Sequence, residues 1–276
     1  MKKHLFHIIP VFLASAIAVT AVEDLLVFEI GNLESDPAGS FAPITAQNVT
    51  GFDLTRGGRA EHNDAFSDPA LNVDGLFGAG SWSRTSERDP STYFEFGVAP
   101  AAGFSLELDT LTFALFEEHF VGEVDNEERT FIGPLTWDIV YSLDGFATDG
   151  TLLATVQTPE MTEELEVGQG RYNQQVFQLS LAGIDVPEGE TLSFRFYGYD
   201  RPDEGWVTSY GGFSNKSDGD PGPFSSAEEV HDSIWVGDGS DIILTGTAIP
   251  EPSHVAVAIA GLALFVTVLV RRRRKQ

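Results

Sequence analysis

The stretch Phe104-Ser105-Leu106-Glu107-Leu108-Asp109-Thr110-Leu111-Thr112-Phe113-Ala114-Leu115 sets apolar residues at every second position, then repeats the pattern one step out of phase. Alternation with a period of two is the signature of a strand with one buried face, and it excludes an amphipathic helix. Asp109-Thr110 reads as a short interruption between two such runs. Upstream, Tyr93 to Val98 sets Tyr93 and Glu95 against Phe94 and Phe96. Downstream, Leu135, Trp137, Ile139 and Tyr141 share a face opposite Thr136, Asp138 and Ser142, and Asp144-Gly145 follows as a tight turn.

Further strands are expected over Leu25–Ile30, Val49–Leu54, Leu76–Trp82, Leu152–Val156, Val176–Leu181, Leu192–Tyr197, Ile234–Val236 and Ile242–Thr247. The polar stretches Gly122–Arg129, Thr158–Tyr172 and Asp200–Val230 read as loops. About ten short strands separated by turn signals imply an all-β fold, an antiparallel jelly-roll-like β-sandwich rather than βαβ units. Twenty-eight glycines, 14 prolines and 21 phenylalanines against two methionines fit the same class.

Both ends read differently from this middle. Lys2 and Lys3 precede an apolar run from Ile8 to Val22 that contains small-residue cleavage sites at Ala16-Ile17-Ala18 and Val19-Thr20-Ala21. That layout predicts a signal peptide over residues 1–21 and an exported domain over 22–247. Residues 248–276 form a second targeting unit. In it Pro250, Glu251 and Pro252 precede an uncharged apolar run from Val255 to Val270, and Arg271, Arg272, Arg273, Arg274 and Lys275 follow. As a helix, 255–270 reaches about 24 Å, a marginal span of the ~30 Å hydrocarbon core. Lys and Arg favour the cytoplasmic side of a membrane, so the two basic ends predict that everything between them lies outside the cytoplasm.

Pro-Glu-Pro, a short apolar span and a terminal basic cluster, all within the last 27 residues, resemble the PEP-CTERM sorting signal of Gram-negative bacteria that make extracellular polysaccharide. The resemblance implies signal peptidase and an exosortase as processing partners and the inner membrane as a temporary site. It also implies a final place at the cell surface or in the extracellular matrix. The run YFEFGVAPAAGFSLELDTLTF, then YSLDGF and LSFRFYGY, is similar to an exported domain that recurs on such proteins; that likeness covers about Tyr93–Thr247 and departs in long acidic insertions.

Seven of the 16 Lys and Arg lie in the two ends, leaving nine cations against the 42 acids that lie between Glu23 and Glu251, a formal charge of −33 on that stretch. Nucleic acid is excluded as a partner on that ground. The absence of cysteine excludes disulfides, a thiol nucleophile and thiolate metal sites. Acid pairs such as Glu117-Glu118 and Glu163-Glu164 alternate across a strand or sit in loops, and the three exported histidines fall in no metal or nucleophile motif. No catalytic residue is therefore assigned and no cofactor is expected beyond structural calcium.

The calcium candidates are Asp218, Asp220, Asp238 and Asp241, carboxylates in Asp-Gly turns suited to a hard cation. Trp82, Trp206 and Tyr210 are candidates for stacking on sugars, while Trp137 belongs to a core face. The leading expectation is a non-enzymatic surface or matrix protein. The alternative is a carbohydrate-binding module for exopolysaccharide, followed by a polysaccharide-active enzyme.

Overall fold

A computed structural model describes residues 21–30, 40–58, 71–73, 76–80, 82–124, 126–159, 165–167, 169–201, 211–219, 225–226, 229–230 and 234–251. Its strands run β1 (Glu23–Phe28), β2 (Ser40–Phe41), β3 (Ile44–Thr45), β4 (Val49–Gly58), β5 (Leu71–Val73), β6 (Leu76–Ala79), β7 (Thr92–Pro100), β8 (Phe104–Val124), β9 (Glu127–Ile132) and β10 (Thr136–Ser142). They continue with β11 (Thr151–Gln157), β12 (Gly170–Ser180), β13 (Asp185–Val186), β14 (Leu192–Tyr199), β15 (Gly211–Ser214), β16 (Ser225–Ser226), β17 (Glu229–Val230), β18 (Ile234–Val236) and β19 (Ile242–Pro250).

Two sheets result. The larger has the order β3-β1-β19-β8-β15-β6-β5, with β9, β12 and β13 also paired to β8 and β18 to β12; the smaller is β11-β10-β14-β7-β4-β2. Pairing is antiparallel except between β12 and β18, which run parallel over Arg171–Asn173. The all-β sandwich expected from the alternation is observed, and among the described residues no helix is long and apolar enough to cross a membrane.

The 21-residue β8 is the spine. One of its edges takes β19, then β15, then β9; the other takes β13 and then β12. The expected interruption at Asp109-Thr110 is a β-bulge within this one strand. Opposite it, β19 advances two residues from Leu244 to Gly246 while β8 advances three from Leu108 to Leu111. The extra residue turns Leu111, Phe113 and Leu115 back to the face used by Leu106 and Leu108, which is why the sequence changes phase there. Thr245 holds the bulge, its Oγ1 accepting from the Thr110 amide at 3.1 Å.

Three expected loops are corrected in part. Gly122–Arg129 is a hairpin, because Val124 pairs with Glu127 around Asn126, which takes a φ of 62°. Asn tolerates that left-handed conformation, and the exposed Glu127 and Glu128 had masked the alternation of β9. Gly170–Tyr172, assigned to a loop, opens β12, and the Asp200–Val230 stretch contains β15.

The core lies between the inner faces. Phe94 and Phe96 of β7, Phe194 and Phe196 of β14, and Trp137 of β10 face Phe113 of β8 and Phe213 of β15, all fully or almost fully buried. Phe196 touches Phe113 edge-on at 5.1 Å and Phe213 at 5.0 Å. Each such ring contributes about 1.5–3 kcal/mol by leaving water. Arg56 of β4 ties the sheets together: its Nε donates to the Gly78 carbonyl of β6 at 2.8 Å, and its guanidinium lies 3.9 Å from the Phe77 ring centre. Burial lowers its pKa to about 10, so it stays charged at neutral pH.

Candidate functional site

The closing strand brings the start of the tripeptide into the sheet. Ile249 pairs with Ser105 and Pro250 with Phe104, and the Glu251 amide donates to the Gly103 carbonyl at 2.8 Å. A proline suits this last place because it has no amide to offer the ladder. Gly103 adopts a φ of 86° and donates its own amide to Glu188 Oε1 at 2.6 Å, so the loop that receives Glu251 is itself held. Beside β19 runs β1, with Glu23 opposite Gly246 and Phe28 opposite Ile242. The start of β1 and the end of β19 therefore leave the sheet toward the same end. Pro252, the 255–270 run and Arg271 to Arg274 lie outside the described residues.

The outer face of the smaller sheet carries a cluster of polar and aromatic side chains. Register puts Arg195 of β14 directly across from Glu95 of β7, and Arg195 Nε donates to Glu95 Oε2 at 2.7 Å. Its guanidinium lies 4.0 Å from the ring centres of both Tyr93 and Phe146. Phe146 reaches that place from a tight turn within the loop after β10, in which Gly145 and Phe146 have φ values of 66° and 60° and the Ala147 amide donates to the Asp144 carbonyl. Tyr93 lies on Gly57 of β4, where an added Cβ would sit 2.0 Å from the ring.

Along the same face, Asp138 Oδ1 accepts from Thr155 Oγ1 at 2.6 Å and from the Tyr199 hydroxyl at 3.1 Å, while Arg88 lies 3.6 Å from Oδ2. Burial, with the negative Asp138 alongside, pushes the Tyr199 hydroxyl up to about 12. The face thus offers the Tyr199 hydroxyl, neutral at neutral pH, beside the Arg88 and Arg195 guanidinium groups and the Asp138 and Glu95 side chains, a set that can both donate to and accept from hydroxyl-rich ligands.

No family model, curated protein or solved structure matches the chain.

Of the predicted sugar-stacking residues, Trp82 is corrected. It is only 3% exposed, its Nε1 donates to the Ala79 carbonyl at 2.6 Å, and its ring packs edge-on against Trp137 at 4.8 Å. An indole enclosed in this way presents no face to a sugar. Trp206 and Tyr210 lie outside the described residues, whereas Trp137 is fully buried as expected.

Among the predicted calcium ligands, Asp220 lies outside the described residues, and Asp218 and Asp238 are exposed. Asp241 accepts from Asn215 Nδ2 at 2.9 Å and so braces the link between β15 and β19. Among the described residues no group of three or more His, Asp or Glu side chains converges. Gly219 and Gly237 have φ values of 84° and 97°, so the glycines beside Asp218 and Asp238 meet a backbone demand of their turns. Glu117 and Glu118 separate as alternation requires: Glu117 is fully buried and accepts from Asn173 Nδ2 at 2.8 Å.

The residues that the sequence reading missed are Arg88, Glu95, Asp138, Arg195 and Tyr199. Their outward phase was legible in Tyr93/Glu95 and in Thr136/Asp138, but their partners come from strands distant in the chain.

Proposed function

We propose that this chain is the precursor of an exported, non-enzymatic protein of the cell surface or extracellular matrix, with a tail that is a PEP-CTERM sorting signal. Pro250, Glu251 and Pro252 are the element an exosortase recognises, 255–270 is the temporary anchor, and the basic end stays cytoplasmic. The single observation that carries this reading is the fit between fold and targeting boundaries. Among the described residues the first strand begins at Glu23, one residue after the predicted mature start, and the last runs three residues past the expected domain end at 247 to Pro250, the first residue of the tripeptide. These two strands are hydrogen-bonded neighbours, so one end of the sandwich would face the membrane through both flanking segments. Some consecutive strands cross from one sheet to the other, as β7 to β8 and β14 to β15 do, which supports a jelly-roll-like sandwich. Replacing Glu251 with Ala is expected to leave uncleaved precursor in the membrane fraction, and unchanged processing would count against the motif.

A second reading is a carbohydrate-binding module for exopolysaccharide, favoured by the row Arg195, Tyr93, Arg88, Asp138 and Tyr199 on the outer face of the smaller sheet. Guanidinium and carboxylate groups grip vicinal hydroxyls, and ring faces cover the apolar side of a sugar. Slower migration of the processed protein in polysaccharide-containing gels, lost in Arg88→Ala, is the expected result. Equal migration in every glycan tested would remove this reading.

A further inference from the structure

The residues Tyr172 to Leu181 (YNQQVFQLSL) contain no charge in a chain with 42 acids. They make up most of β12, which pairs with β8 in unbroken register from Gly170 to Ser180. On its other edge β12 meets β18 only over Arg171–Asn173, and the Gln174 side chain reaches the carbonyls of Lys216 and Gly237. From Gln175 to Ser180, no described strand pairs with that outer edge. Val176 is 38% exposed there, while Phe177 and Leu179 pack against the core from the rim.

The flank as a whole shares this character. β1 and β3 lie over β4 at one side of the sandwich, and β12 in the larger sheet and β11 in the smaller are edge strands away from that side. β11 is the edge of the smaller sheet and is likewise uncharged, with Leu152 53% exposed. Its bulge, where Leu153 is skipped between the pairs Ile139–Ala154 and Val140–Leu152, blunts it as a template. β12 has no such device.

We infer that Gln175–Ser180 is a homotypic docking edge that pairs antiparallel with the same segment of a second copy of this chain. Charge selects the occupant. Two molecules this acidic repel over most approaches, and an uncharged regular edge lets them meet without opposing like charges. β-branched, aromatic and Gln side chains without Pro, Gly or charge favour such a strand-to-strand contact. Keeping the inner faces continuous places Gln178 opposite Gln178 of the other copy, and Phe177 opposite its Leu179, which extends the core across the junction. The inference stands whether or not the tail is processed.

Sedimentation velocity on the full chain in detergent, over a concentration series, is expected to show a monomer–dimer equilibrium. Gln178→Lys sets two like charges directly opposite and is expected to weaken it by about two- to fivefold, with the melting transition of the monomer unchanged. The chain has no cysteine, so Gln178→Cys supplies a sole thiol. Mild oxidation is expected to trap that variant as a covalent dimer far faster than Ser86→Cys, whose position is exposed on a loop. A monomer at every concentration would overturn the inference. So would a dimer indifferent to Gln178→Lys, or equal cross-linking by the two cysteine variants.

Discussion

Arg195 and Glu95 sit directly opposite each other on neighbouring strands, joined by a 2.7 Å hydrogen bond, with the guanidinium held between the rings of Tyr93 and Phe146. This arrangement joins β7, β14 and the turn after β10 on the solvent side of the smaller sheet. Arg195→Ala removes the ion pair and both ring contacts and is expected to cost about 2 kcal/mol in urea denaturation, whereas Glu95→Gln is expected to cost under about 1 kcal/mol. A double-mutant cycle showing no coupling between positions 95 and 195 would contradict the assigned contact.

Gly57 permits the position of Tyr93. A Cβ there would lie 2.0 Å from the ring, so Gly57→Ala displaces Tyr93 and loosens Arg195, at an expected cost of about 2 kcal/mol. In a Tyr93→Ala background the same change is expected to be neutral or slightly stabilising, since alanine restricts the unfolded chain more than glycine does. Equal costs in both backgrounds would show that the ring does not rest on Gly57.

Trp82 joins the sheets in the interior rather than lining a surface. Trp82→Ala is expected to cost about 4 kcal/mol, as removal of large buried aromatics does. Added polysaccharide is expected to leave the fluorescence of Trp82 unchanged, measured in a variant whose other three tryptophans are replaced by Phe. A glycan-dependent spectral shift in that variant would restore Trp82 as a ligand contact.

Tyr199 supplies the pH test. Burial, and then Asp138, raise its pKa to about 12 from an ordinary value near 10. A group whose folded pKa lies above its unfolded one contributes stability that is complete below the unfolded value and is lost as pH rises through the folded one. The wild type is therefore expected to lose stability between about pH 10 and 12 more steeply than Tyr199→Phe, followed by denaturant midpoint with tyrosinate absorbance read in parallel. Identical alkaline profiles for the two proteins would contradict the contact with Asp138.

Much of the sandwich was legible because burial on one face imposes a period of two, and even the bulge in β8 showed as a change of phase between Leu108 and Leu111. Features that depend on partners remote in sequence were not. β4 extends four residues past the expected Leu54 because Arg56, a residue that reads as polar and exposed, turns inward to the Gly78 carbonyl, and Gly57 makes room for Tyr93. Trp82 closes the expected strand Leu76–Trp82 beside the polar Ser83 and Arg84 and so reads as a strand end open to solvent, yet β6 stops at Ala79, whose carbonyl lets the indole enter the core without stranding its N–H. The outward cluster around Arg195 and Asp138 gave only its phase in the sequence, since the pairing of β7, β10, β11 and β14 joins segments up to about a hundred residues apart.

The proposal of an exported and sorted precursor is tested most directly by the intact mass of the protein recovered from the cell surface or medium. The account predicts a chain that begins near Val22 and has lost the residues after the Pro-Glu-Pro tripeptide, including Arg271 to Arg274. A full-length product in the cytosol, with Met1 and Gln276 both present, would contradict it.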